Sequence, residues 1–444
     1  MSIYTKHGSR LMAWLLLFVL LFSSVVSVQP TAAASSKDLE KKVYTAMQNA
    51  VKYYYDEDGA YQFADFDWEL IGLAQAGEKL DSRKWQDKDD LTAFDFWATK
   101  AKELDEAGQF AKLAIALMKN GYDPTNFNGK NLLEEIVKRQ DANGRMGDDT
   151  YTIFNHVLSI VALEMYGYDY DREEAAEFLL KRYDDFSEEW GTYTDDIAFT
   201  LHALNLLGDI DGVEEEKEKI LDRLEKERKA DGSIADNPDS TMEALTALTS
   251  VGEDVLKAPW DKSVEYVLSN QLEDGSFQSA WSNGETSAMT TEKGLISLAT
   301  IRKGTTLYER LTNKEKAALT VYLSKGEASE DIHVFDGMTN LLKGKEVKPS
   351  KNTYTIASKQ LFVRAEVSGI ADEEKPLAVL VKVMKGKQVV DTGIVETKSA
   401  DAEYVTAGFT LARGTYTVEV NYWYGLANNP EVAKDGAIFS VTVK

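Results

Sequence analysis

Residues 197–208 read Ile197-Ala198-Phe199-Thr200-Leu201-His202-Ala203-Leu204-Asn205-Leu206-Leu207-Gly208, and this stretch decides the fold. Its apolar residues run nearly all round a helical wheel, which predicts a helix buried on every side. The closing glycine predicts a left-handed residue that ends it. The phrase inside it, small residue–Leu–three residues–Gly, recurs along the chain. It appears at Gly72-Leu73 to Gly77, Ala116-Leu117 to Gly121, Ala162-Leu163 to Gly167, Ala203-Leu204 to Gly208 and Ala247-Leu248 to Gly252. A sixth copy, Ser297-Leu298, reaches Gly304 instead. The starts lie 44, 46, 41, 44 and 50 residues apart, a period that marks a repeat architecture.

Between these apolar helices the pattern is amphipathic with a charged face, most clearly over 131–140, 171–183 and 213–228. Each repeat therefore supplies one inner and one outer helix, and about six such pairs close naturally into a double ring. A turn precedes each inner helix, at Asp58-Gly59, Asn143-Gly144, Asp231-Gly232 and Asp274-Gly275, with Trp190-Gly191 as a variant. From the turn glycine to the small residue of the helix phrase the count is 13, 18, 12, 15 and 22. The loops after Gly144 and Gly275 are thus the longest, and insertions on one face of a repeat array are commonly its binding face.

These phrases and turns resemble the prenyltransferase and squalene-cyclase repeat of α/α-toroid proteins, over roughly residues 40 to 325. The resemblance implies a toroid. It implies less about activity, because the same ring serves terpene cyclases, protein prenyltransferase β-subunits, complement thioester domains and vitamin B12 carriers.

Beyond a basic stretch at 343–351 the periodicity changes to two, with β-branched and aromatic residues. Strands are expected at 353–357, 361–367, 377–384, 388–393, 404–411, 415–424 and 437–443. Seven short strands suggest an immunoglobulin-like sandwich. Leu411 to Tyr416 reads as a tight corner where a tyrosine hydroxyl ties back to the backbone. The fold class expected is mainly α, an α/α toroid over 37–342, plus an all-β immunoglobulin-like domain over 352–444.

The first residues carry a secretory signal: Lys6 and Arg10, an apolar run from Leu11 to Val28, and Ala32-Ala33-Ala34 for processing after Ala34. Residues 1–34 are therefore expected to be removed, leaving no membrane insertion. A secreted or cell-surface protein, of a Gram-positive bacterium by its cysteine-free style, is the expectation. With no cysteine, lipid attachment at the N-terminus, disulfides and thiolate chemistry are excluded. Protein prenyl transfer, which the resemblance ties to a Cys-containing zinc site, and complement-type thioesters go with them. The net charge of −24 opposes nucleic-acid binding.

Asp87-Lys88-Asp89-Asp90 matches the Asp-x-Asp-Asp acid of terpene cyclases, but Leu91 intervenes before Thr92-Ala93, so it reads as a solvated, capping loop. His156, His202 and His333 have no metal-site spacing; His202 reads as a hydrogen-bonded core residue, and no metal or other cofactor is expected. Tyr151 and Asn155, four apart, share a helix face and offer lyase-like chemistry. Gln278, Trp281, Asn283 and Glu285 read as an aromatic platform with polar neighbours, against a plug of the ring by Trp281. Asp195-Asp196-Ile197-Ala198 resembles the Asp-Thr-Ala phrase that opens inner helices; Asp196 reads as an N-cap, and Tyr193 and Asp195 as cavity residues. A non-catalytic exported protein holding a small ligand, a corrinoid by resemblance, or a cell-surface partner is the expectation. The alternative is a polysaccharide lyase or other carbohydrate-active enzyme, with a terpene cyclase-like enzyme as a minor one.

Overall fold

The computed structural model describes residues 29–55, 67–86, 91–101, 103–147, 153–189, 193–322, 331–350, 352–368, 370, 376–399, 402–424 and 431–444. The expected signal run to Val28, the Asp58-Gly59 and Trp190-Gly191 turns, Asp87 to Asp90 and Tyr151 lie outside them. The helical part begins with α1 (Gln29–Tyr53), α2 (Trp68–Gln75), α3 (Ala93–Lys100), α4 (Ala107–Lys119), β1 (Tyr122–Phe127), α5 (Leu132–Val137), α6 (Phe154–Tyr166) and α7 (Arg172–Glu189). It continues with α8 (Thr194–Leu206), α9 (Val213–Glu227), α10 (Pro238–Ser250), α11 (Asp261–Ser269), α12 (Ala288–Lys303) and α13 (Asn313–Ala318). Then follow β2 (Thr320–Tyr322), β3 (Ile332–Asp336), α14 (Met338–Leu342), β4 (Thr353–Ile356), β5 (Gln360–Glu366), β6 (Leu377–Lys385), β7 (Gln388–Thr397), β8 (Tyr404–Thr410), β9 (Gly414–Tyr424) and β10 (Glu431–Val443). The architecture is thus a helix-rich N-terminal and middle region with a C-terminal β-sheet region. No helix of the described residues is long and apolar enough to cross a membrane.

The chain forms two compact units. In the first, α10 packs between α8 and α12, and these three are the inner helices. Ile197, Leu201, Leu204, Leu245, Leu248, Leu295 and Leu298 are fully buried, as their all-round apolar pattern predicts. The outer helices α9, α11 and α1 pack against α8, α10 and α12 respectively. In α9 the buried side chains are Val213, Glu216, Ile220 and Leu224, a single stripe at helical spacing. α1 runs through Ala32-Ala33-Ala34, where processing is expected.

The turns before the inner helices follow one plan. In each, a backbone hairpin bond closes the turn, Lys229 N–H to Ser233 O and Leu272 N–H to Ser276 O. The turn glycine is left-handed and lies against the backbone of an outer helix. A β-carbon at Gly232 would collide with the Lys262 carbonyl, and one at Gly275 with the Asn49 carbonyl. Gly144 meets the Glu174 carbonyl in the same way in the second unit. The residue two beyond that glycine then donates its N–H to an inner-helix side chain: Ile234 to Thr241 Oγ1 and Phe277 to Thr291 Oγ1, both 2.9 Å. One expectation is corrected: Gly208 is not left-handed, and the chain reverses instead at Gly212, φ 85°, which begins α9.

The second unit holds α2 to α6, the start of α7 and everything from Arg310 onward. There α4 packs on α6 and α5. The repeat reading missed a short parallel pair, β1 with β2, because Tyr122-Asp123-Pro124-Thr125-Asn126-Phe127 shows no alternation. Five of the seven expected strands form within one residue of their expected bounds, β7 runs on to Thr397, β10 begins at Glu431 rather than at 437, and β3 joins them from before the basic stretch. The sheets run β4-β10-β9-β6-β7 and β3-β5-β8. Side chains of both sheets, among them Val334, Val363, Val381, Val418 and Val441, share one apolar core. The Tyr416 hydroxyl donates to the Ala412 carbonyl at 2.9 Å, which is the expected corner. Within this unit Lys387, in the β6–β7 turn, is 2.7 Å from Asp123, and Asn126 donates to Glu419 at 3.0 Å.

Candidate functional site

Three inner helices of the first unit begin side by side, and their first turns carry the chemistry. Asn237 caps α10, accepting the Asp239 N–H at 3.0 Å, and Pro238 takes the first helical position, where no N–H is needed. Ser287 caps α12 by accepting from Thr290 N–H at 3.3 Å. Tyr193 precedes α8 without a side-chain cap. The first turns of α8 and α10 place Asp195, Asp196 and Asp239 at helix N-termini, where the helix dipole favours carboxylates.

Side chains from the three helices meet around Lys293, on the second turn of α12. Lys293 forms an ion pair with Asp195 of α8, and the Ser240 hydroxyl of α10 donates to the same carboxylate. Burial opposes the Lys293 charge, but Glu243, Asp195 and Asp239 together hold its pKa above the usual lysine value. Asp239 is 8% exposed, and its Oδ1 has no hydrogen-bond partner among the described residues. Burial pushes its carboxyl above the usual aspartate value; the Thr290 hydroxyl and Lys293 oppose that, and the Asp195 charge adds to it. The cluster therefore sets a carboxyl whose protonated form burial favours beside a second carboxylate paired with an ammonium.

Behind it lies His202, buried between the rings of Phe199 and Tyr308. It is a core residue as expected, but the expected hydrogen bond is absent among the described residues. Its Nε2 lies 3.5 Å from Glu243 Oε1 without bonding geometry. Asp196 is not the helix cap: it sits in the first turn of α8, buried, while Tyr193 holds the cap position.

The sequence-expected residues divide between the units. Asp195 belongs to the cluster just described, and Tyr193, two residues before it, is 69% exposed. Trp281 is 82% exposed on the loop before α12, so it is no plug. Glu285 is exposed on the same loop. Gln278 and Asn283 shape that loop: Gln278 pairs with Asn270 through its N–H, and Asn283 takes a left-handed turn, φ 53°. Asn155 lies in the second unit, on α6, where its side chain fills the space left by Gly108 and Gly147. Beside it His156 does the work of Thr241 and Thr291, its Nδ1 accepting the Met146 N–H at 3.1 Å while Nε2–H donates to Ala175 O. Sequence reasoning missed Asp239, Ser240, Glu243 and Lys293. The available signal was Asn237-Pro238-Asp239, a cap, a helix-opening proline and an acid at the start of an inner helix.

The second unit has an open cleft of about 460 Å³ at the end of α6, lined by Glu164, Tyr168, Tyr170, Arg172 and Arg310 among others. Its buried Glu164 is bound by Arg172, Arg310 and the Tyr170 hydroxyl, so the floor is neutralised from within. Among the described residues no three His, Asp or Glu side chains are grouped to hold a metal ion.

No curated protein sequence matches the chain. Solved structures with distant likeness include the apo form of a variant of the type II terpene cyclase MstE from Scytonema. It is 11% identical, covers 60% of this chain and 99% of its own, and has a TM-score of 0.42. A protein from Actinoplanes is 15% identical over 59% of this chain and 98% of its own, TM-score 0.39. Haptocorrin in complex with Cbi is 16% identical over 60% of this chain and 67% of its own, TM-score 0.37. Residues 171–299, which carry the Asp195–Asp239–Lys293 cluster, match the family described as the prenyltransferase alpha-alpha toroid domain.

Proposed function

We propose that the chain is an exported carbohydrate-active enzyme on a toroid of about six helical hairpins, cleaving a glycosidic bond where α8, α10 and α12 begin. The observation that carries this reading is Asp239, a buried carboxyl with a raised pKa, next to Asp195 in its Lys293 ion pair. Two carboxyl groups in unlike surroundings divide naturally into a proton donor and a charged partner. Asp239 protonates the departing sugar oxygen. Asp195, oriented by Lys293 and Ser240, faces the sugar carbon or its attacking water. The exposed rings of Trp281 and Tyr193 offer flat apolar faces on which sugar rings stack.

Hydrolysis fits this cluster better than elimination from a uronic acid, which requires the substrate carboxylate to be neutralised. Here three acidic side chains surround one lysine. A polyene substrate is also ill-suited, because Lys293, Ser240 and Thr290 make the surroundings polar. The carrier reading rests on the same convergent polar groups and differs in predicting no turnover.

The test is release of reducing ends from a panel of soluble and insoluble polysaccharides. The wild type is expected to release them, and Asp239→Asn to release about 10²- to 10⁴-fold fewer while still binding the glycan. Binding without release by either protein would favour a carrier. Neither binding nor release would sink the carbohydrate-active reading and leave only a carrier of a non-glycan ligand.

A further inference from the structure

Charge around Lys293 says which glycan. The Lys293 ammonium faces Asp195, Glu243 and Asp239, all three of which raise its pKa. Asp195 and Glu243 alone outnumber that ammonium. Asp239, more than nine-tenths buried, keeps Oδ1 without a hydrogen-bond partner among the described residues, so this oxygen can still accept from a donor brought into the cluster. His202, also buried, stands 3.5 Å from Glu243 and supplies no hydrogen bond to it. The chain as a whole carries −24. Such a site repels carboxylated and sulfated sugars, and it rewards a cation that can also donate hydrogen bonds.

We propose that the substrate is a cationic glycan, a polymer of hexosamines with free amino groups, one of which is received between Asp239, Asp195 and Glu243. This rests on the glycan reading above. An ammonium supplies three donors, enough to satisfy the open Asp239 oxygen and still reach a neighbouring carboxylate. The exposed Trp281 ring suits the same ligand, since an aromatic face attracts both the apolar side of a sugar and a nearby cation.

Calorimetric titration of the full chain at about pH 6 tests this, with a hexamer of glucosamine, its fully N-acetylated counterpart and hexagalacturonate as probes. The amine hexamer is expected to bind about tenfold or more tightly than the acetylated one, with a preference that shrinks as salt is added, and the uronate not to bind. Glu243→Gln, near-isosteric, is expected to cut that preference to about threefold or less, and an undiminished preference would overturn the inference. Equal or tighter binding of the acetylated hexamer would overturn the cationic inference and leave the glycan reading standing. Tightest binding of the uronate would overturn the inference and revive elimination. Failure of all three to bind would overturn the cationic inference alone, since the glycan reading stands or falls on the polysaccharide panel.

Discussion

His156 and Asp239 are buried titratable groups that respond to pH in opposite senses. Burial lowers the His156 pKa to about 4 from 6.5, and its neutral ring bridges Met146 and Ala175. Its folded pKa is depressed, so the neutral form contributes stability that is fully present above pH 6.5 and is lost as pH falls through about 4. The shift corresponds to about 3 kcal/mol. Urea unfolding at both ends of that window is expected to show a shallower loss for His156→Gln than for the wild type; equal slopes would contradict the assignment. Asp239 runs the other way. Its carboxyl is raised, so its contribution is present below the ordinary aspartate value and is lost as pH rises through the raised one. Asp239→Asn is therefore expected to unfold at a higher temperature than the wild type at neutral pH, and this advantage should vanish in acid. A variant less stable than the wild type at every pH would contradict the burial argument. A proton donor maintained at a cost to stability is what a catalytic acid requires.

The elements that sequence reveals are those whose signal is local. The inner helices announce themselves because Leu, Ala and Ile cover the whole wheel, and the strands from β4 to β10 because their alternation is regular over many residues. β1 and β2 are short and contain no such period, and β3 precedes a basic stretch that looks like a boundary. Lys293 and Asp239 were not legible because they come from different repeats, and only the packing of α10 between α8 and α12 brings them together. Gln278 and Asn283, expected as ligand contacts, also build the turn, because the residue types that bind sugars suit both tasks. The turn glycines give a test at this scale. Gly232→Ala forces a left-handed residue and a collision with the Lys262 carbonyl, and is expected to cost about 2 kcal/mol or more. Gly77, φ 92°, has open space around it, so Gly77→Ala carries strain alone, about 1 kcal/mol. Denaturant midpoints of the two variants check the order; equal losses would mean that the close approach at Gly232 relaxes.

At the scale of the molecule, the second unit joins its helices to the β-sheets through buried charge. Asp123 is buried, accepts from the Thr125 N–H and hydroxyl, and pairs with Lys387 in the β6–β7 turn. Asp123→Ala is expected to speed amide exchange in β6 and β7 and leave α8, α10 and α12 unchanged, which hydrogen exchange read by mass spectrometry would show. Uniform acceleration through the whole chain would instead mean that the pair supports global stability. The central claim concerns the other unit, where the three inner-helix starts assemble an acid, a carboxylate and a lysine. It is tested most directly by digesting a hexosamine polymer in ¹⁸O-labelled water and weighing the fragments. The account predicts fragments that carry one ¹⁸O at the new reducing end with the wild type, and almost none with Asp239→Asn. Unsaturated fragments lighter by one water, or equal yields from the two proteins, would contradict it.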